Sequence, residues 1–256
     1  LRAVFPAAEI VDFDEQLYHI RVIKSESEIA CIKKACQIAT DTFAASVPAI
    51  EKGMTERCIQ GIFEANMAKF GAESAVMAFA PMIATGSVNS HISMCRNSLR
   101  QVEEGEILNI AAGVCYEGYN GIICSPHVLG KIPEKIRDAV KCAYDALNLA
   151  SSKMKPGVGA KEILDTYTDY LTKKGYIDYC PYGSLHSTGM LECEAPVFST
   201  ENNRMIRENM TICIDAYFKG MEWGSFRIED VYHVTGNGAV RITSFNDREL
   251  PKKFSF

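Results

Sequence analysis

The spacing of apolar and polar positions divides the chain into two similar halves. Between Ser25 and residue 49, apolar side chains recur at Ile29, Ile32, Ala35, Ile38, Ala39 and Phe43, the three-and-four spacing of one helix face. Ser25 and Ser27 are the N-cap candidates. Gly53 interrupts the pattern, and Thr55 with Arg57 opens a second helix carrying Ile59, Ile62, Phe63, Ala65 and Met67 up to Gly71. Segments 75–84, 106–112 and 115–124 are short, apolar and bounded by turn residues, which predicts strands. Gly113, Gly118 and Tyr119 fit two antiparallel strands joined by a short turn. Pro133, favourable at a helix start, then leads into Ile136, Val140, Ala143, Leu147 and Ala150, and a shorter helix over 160–174 stops at Gly175. Strands are predicted over 210–218, 226–235 and 239–244, with Gly220, Gly236 and Gly238 at the turns. Two helices and strands, followed by two helices and strands, predict an α+β fold with internal pseudo-duplication, each half placing its helices outside a curved antiparallel sheet.

Composition narrows the function classes. Hydrophobic residues make up 47% and charged residues 23% of 256 residues, and the net charge is -5, so the chain has no basic footprint for nucleic acid. No apolar run is long enough to span a bilayer. The ten cysteines contain no C-x-x-C pair, which argues against structural zinc, and in a chain of this size they read as reduced thiols of a cytoplasmic protein. Cys36, Cys142 and Cys213 sit among apolar neighbours and read as small buried hydrophobes.

Three stretches carry polar groups where a sheet interior calls for apolar ones: Gly183 to Gly189 around His186, Met210 to Ala216 around Asp215, and Phe226 to Asp230 around Arg227 and Glu229. An unpaired Asp215 in a buried strand would be costly, and His186 or Arg227 is its expected partner. Cys124 lies two residues beyond Ile122, so both face the same side of a strand. There it is either a nucleophile beside His186 or a small apolar filler. Trp223 is expected in a loop at the pocket rim.

At these residues the sequence resembles the C-terminal pita-bread domain shared by methionine aminopeptidase, aminopeptidase P, prolidase and creatinase. R-V-I-K-S-E-S-E-I at Arg21 to Ile29 resembles the entry into that domain, G-E-I-L at Gly105 to Leu108 its strand start, and R-I-E-D at Arg227 to Asp230 its last motif. The resemblance covers nearly the whole chain, with residues 1–24 as a lead-in (the end of a preceding domain) and 25–256 as the domain itself. It implies a homodimer acting on a small-molecule or peptide substrate. Peptidases of the family hold two metal ions with two Asp, one His and two Glu. Here the frame Ala111 to Ile122 keeps Gly113, Gly118 and Tyr119 but has Ala111 and Ile122 in place of both aspartates. The His ligand maps to His186 and the two Glu to Asp215 and Glu229.

Methyl and butyl side chains supply no lone pairs to bridge two cations, so no metal and no cofactor is expected. One ion on His186, Asp215, Glu229 and water remains geometrically conceivable. The family's substrate-side His falls at Met94, or at Ser93 with a one-residue shift, with His91 nearby; its second pocket His falls at Cys193. A segment Ala80 to Gly86 resembles creatinase, which hydrolyses a C–N bond on this fold without metal, although a substrate-binding Glu of creatinase falls at Cys124. Two functions follow. One is a metal-independent hydrolase of a C–N bond, with His186, Asp215 and Glu229 catalytic and with Met94, Cys124, Cys193 and Arg227 lining the substrate side. The alternative is a pseudo-peptidase retained as a binding module for a ligand or protein.

Overall fold

A computed structural model describes residues 1–75, 81–91, 96–181 and 185–245. Helix α1, Asp14–Val22, precedes α2, Glu26–Ser46, and α3, Glu56–Phe70. Of the two serines considered as caps, Ser25 starts α2, in a reciprocal capping box with Glu28. Thr55 caps α3, and Gly71 ends it in the left-handed conformation that a side chain would disfavour. Strands β1 (Ser74–Ala75) and β2 (Met82–Thr85) and the short helix α4 (Gly86–Asn89) lead to the hairpin of β3, Ile107–Tyr116, and β4, Tyr119–Val128. Helices α5, Glu134–Lys153, and α6, Ala160–Lys174, open the second half. Its strands are β5 (Leu185–Ser187), β6 (Glu194–Phe198), β7 (Thr211–Met221), β8 (Gly224–Thr235) and β9 (Gly238–Arg241).

The described strands form one nine-stranded antiparallel sheet in the order β1-β3-β4-β8-β7-β5-β6, with β2 also on β3 and β9 on β8. One expectation is corrected. Gly113 lies inside β3 and not at the turn; the turn is Glu117–Gly118, where both residues have positive φ, the backbone a two-residue hairpin requires. His186 lies on β5. Trp223 does join β7 to β8, but it is half-buried and stacks on Phe226 at 5.9 Å between ring centroids.

The period of two along each strand separates a helix-facing side from a site-facing side. On β7 and β8, Ile212, Ile214, Ala216, Phe218, Phe226, Ile228, Tyr232 and Val234 join the core that α5 and α6 cover. On β3 and β4, Leu108, Ile110, Ala112, Val114 and Ile123 join the core beneath α2 and α3. The alternate residues, Ala111, Ile122, Cys124, Cys213 and Val231, form a third cluster with Ile32 and Cys36 of α2. The two halves meet where β4 pairs β8, in the register Cys124↔Glu229. The sheet seam therefore runs through the residues that the sequence marked for chemistry.

Candidate active site

Four strands position the polar residues. His186 on β5 pairs with Cys213 on β7, and Asp215 on β7 lies directly opposite Glu229 on β8. Arg227 precedes Glu229 by two residues and so faces the same side. Its Nε donates to Asp215 Oδ1 at 2.7 Å, and its Nη2 donates to Oδ2 in a two-pronged fork. Asp215 thus has the partner its burial demands.

Glu229 is completely buried and its two oxygens differ. Oε2 accepts from Cys124 Sγ at 3.2 Å and lies 3.7 Å from Arg227 Nε. Oε1 lies 3.3 Å from His186 Nε2, yet the contact is an ion pair without hydrogen-bond alignment, and Oε1 has no hydrogen-bond donor among the described residues. The other ring nitrogen, Nδ1, faces the Ser187 carbonyl oxygen at 3.2 Å, which favours Nδ1 as the protonated donor in a neutral ring. A third carboxylate closes the group: Glu192 Oε1 lies 3.7 Å from His186 Nε2.

These environments push the carboxyls apart. Burial raises Glu192 to about 8, and the charge of Glu229 adds to the shift. Burial also opposes ionisation of Glu229, but Arg227 and His186 outweigh it and hold Glu229 at about 2. Asp215 is raised by burial and by Glu229, against the pull of Arg227. For His186, burial favours the neutral ring, but Cys193 and Glu229 prevail and raise it well above the usual imidazole range. Burial raises the Cys124 and Cys213 thiols, and Glu229 reinforces both shifts.

The structure thus brings His186, Asp215, Arg227, Glu229 and Cys124 together. Cys193 is an exposed thiol within reach of His186. Met94 and Ser93 lie outside the described residues, as do Ala80, Gly183 and Ser184. Sequence reasoning missed two members. Glu192 was hidden because the chain from Thr188 to Cys193 leaves the strand before returning at β6, so no period identifies its side. Its one signal is an isolated acid between Leu191 and Cys193. Cys213 was read only as a filler, although its position two residues before Asp215 placed it on the site face.

The loop bearing Glu192 is held from outside. Glu194 receives Lys24 Nζ at 2.7 Å and Arg21 in an ion pair, and Lys24 Nζ also donates to Ser187 Oγ at 3.2 Å. Asn120 donates through both its backbone N–H and its side-chain amide to the Gly189 carbonyl, at 2.8 and 3.0 Å. The R-V-I-K-S-E-S-E-I entry therefore has two structural tasks: Ser25 and Glu28 cap a helix, while Arg21 and Lys24 anchor the strand after the site loop.

A pair of divalent metal ions does not fit this donor set. Ala111 and Ile122 offer no lone pair on the β3–β4 side, and the Asp215 carboxylate is engaged by the Arg227 guanidinium. Opposite Glu229 the wall is apolar and thiol-lined.

The comparisons with known proteins agree on the fold. A family model described as metallopeptidase family M24 matches residues 30–236. The Xaa-Pro dipeptidase of Pyrococcus horikoshii is 32% identical over 242 residues, spanning 94% of this chain and 68% of that protein. Among solved structures, the X-Pro aminopeptidase from Thermotoga maritima superposes with a TM-score of 0.87 at 26% identity, covering 98% of this chain and 69% of that one. The prolidase from Pyrococcus furiosus gives 0.85 at 32% identity, covering 90% and 67%. The pita-bread arrangement expected from the sequence is thus the observed one. Among the described residues no helix is long and apolar enough to cross a membrane.

Proposed function

Because the chain belongs to metallopeptidase family M24, we propose that it is a hydrolase of a C–N bond in a peptide or small polar substrate, working without the two-metal centre. The observation that carries this reading is Glu192, a carboxyl raised to about 8 and set 3.7 Å from a histidine that is itself ion-paired to Glu229. A group with a pKa near the working pH is the efficient proton carrier. Ionised Glu192 takes a proton from the attacking water as the new C–O bond forms. It then passes that proton to the departing amine nitrogen as the C–N bond breaks. His186, cationic against Glu229, stabilises the negative charge that develops on the substrate carbonyl oxygen. Asp215 keeps Arg227 beside Glu229, and this fixed charge pattern orients the polar end of the substrate.

The relatives' names make Xaa-Pro dipeptides the first substrates to assay, followed by small amides and guanidino compounds, with release of free amine as the readout. Hydrolysis is expected to continue in excess chelator, and His186→Ala is expected to lower kcat/KM by about 100-fold or more. Activity that disappears with chelator and returns with two equivalents of metal per chain would overturn the reading.

A second reading, a binding module without turnover, is favoured by one observation: Glu229 is wholly buried and the Asp215 carboxylate is already engaged. It predicts ligand binding without amine release, and an affinity that His186→Ala leaves unchanged.

A further inference from the structure

Three donors, Glu229 among them, give this pocket a second, different use. His186, Cys213 and Glu229 each present one ligand atom, and the three atoms lie within 4.8 Å of one another in a buried setting. A tetrahedral zinc ion with bonds of about 2.0–2.3 Å places its ligand atoms about 3.3–3.8 Å apart. The 3.3 Å between His186 Nε2 and Glu229 Oε1 already matches that edge, and Cys213 Sγ lies within 4.8 Å of both atoms. Two features prepare the atoms for a cation. Glu229 Oε2 is engaged by Cys124 and Arg227, whereas the buried Oε1 has no hydrogen-bond donor among the described residues. His186 Nδ1 faces the Ser187 carbonyl, which turns Nε2 inward, as an outer partner commonly does for a metal-bound histidine.

We propose that His186, Cys213 and Glu229 form a site for a single thiophilic divalent cation of the zinc class. It is a nitrogen–sulfur–oxygen site, chemically distinct from a carboxylate-bridged pair of ions, and Asp215 takes no part because Arg227 holds it. A cation on Nε2 and Oε1 occupies the contact through which His186 and Glu229 otherwise interact. Bound metal and the proposed hydrolysis therefore exclude each other, and zinc acts as an inhibitor. The site itself stands whether or not the chain turns over any substrate, because its test reads coordination and not activity.

Cobalt(II) titrated into the purified full chain is expected to bind one equivalent and to give a thiolate-to-cobalt charge-transfer band in the near ultraviolet. Cys213→Ser should abolish the band and weaken binding at least tenfold, while Cys193→Ser, which removes the other thiol near His186, should retain both. X-ray absorption of the zinc-loaded protein carrying both Cys193→Ser and Cys124→Ala, in which Cys213 is the remaining thiol beside Glu229, should show one sulfur at about 2.3 Å. This measurement keeps the test decisive if the buried Cys213→Ser change prevents folding. Two ions per chain, a spectrum without sulfur, or a band that survives Cys213→Ser but disappears with Cys193→Ser would overturn the proposal.

Discussion

The two long hairpins of the sheet have the same plan and opposite chemistry. The hairpin of Ile107–Tyr116 and Tyr119–Val128 lies against α2 and α3, and that of Thr211–Met221 and Gly224–Thr235 lies against α5 and α6. Each packs one face on its helices and turns the other toward the seam. There the first presents Ala111, Ile122 and Cys124, and the second presents Cys213, Asp215, Arg227 and Glu229. The contrast shows what a sheet requires when only one wall carries charge. The carboxylates on that wall need a positive partner inside the protein, and Arg227 supplies it to Asp215 while His186 supplies it to Glu229. The apolar hairpin needs no such compensation, because burial of Ala111 and Ile122 is favourable in itself.

The largest expected break in this asymmetry comes from the charged hairpin. Arg227→Met leaves Asp215 buried beside Glu229 without its fork, and removal of one partner of a buried pair costs about 3–5 kcal/mol. Denaturant unfolding should show that loss, and loss of much less than 1 kcal/mol would mean that Asp215 finds another partner. The opposite change puts charge on the apolar wall. Ile122→Asp is expected to cost roughly 2 kcal/mol or more at neutral pH through burial of an unpaired carboxylate. The penalty should shrink as pH falls and the new carboxyl takes a proton; a loss independent of pH would point to packing alone.

A smaller effect tests how the apolar hairpin meets its helix. A Cβ on Gly121 would lie 2.5 Å from the Cys36 backbone nitrogen and 2.7 Å from the Ala35 carbonyl carbon, so α2 sits directly on a bare backbone. Gly121→Ala should cost about 1–3 kcal/mol by overpacking, visible as a lower Tm, and an unchanged Tm would show that the helix can lift away.

A pH-dependent effect concerns Glu192. Its folded pKa of about 8 lies above the ordinary 4.5. Its favourable contribution is therefore complete below about 4.5 and is lost as pH rises toward 8. Glu192→Gln should remove that slope, becoming more stable relative to the parent chain as pH rises across this window. Parallel stability curves for the two proteins would place Glu192 in an ordinary solvated environment.

Much of this asymmetry was legible in the sequence, and the failures have physical causes. Helices α2, α3, α5 and α6 carry regular apolar stripes and clear end signals, so their positions were readable from Ile29, Thr55, Pro133 and Gly175. Helix α1 was not, because Leu17 and Ile20 are exposed and only Val22 is buried, which leaves no stripe to detect. The first hairpin's turn was placed too early because Gly113 looks like punctuation, whereas the left-handed backbone falls at Glu117 and Gly118. His186, Asp215, Arg227 and Glu229 could be found because charge in an apolar strand is conspicuous. Glu192 escaped because a loop has no face. Cys213 escaped because a thiol suits both a core and a site; its spacing of two from Asp215 and its register opposite His186 both put it on the site face.

The pH dependence of hydrolysis in excess chelator, compared between the parent chain and Glu192→Gln, tests the proton chemistry most directly. With a hydrolysed Xaa-Pro dipeptide or small amide, kcat/KM of the parent chain should rise with an apparent pKa of about 8, as Glu192 loses its proton. The Glu192→Gln protein should lose at least about 100-fold in rate and the limb with it. An unchanged limb in Glu192→Gln, or no hydrolysis by the parent chain until metal is restored, would contradict the assignment of Glu192 as the proton carrier.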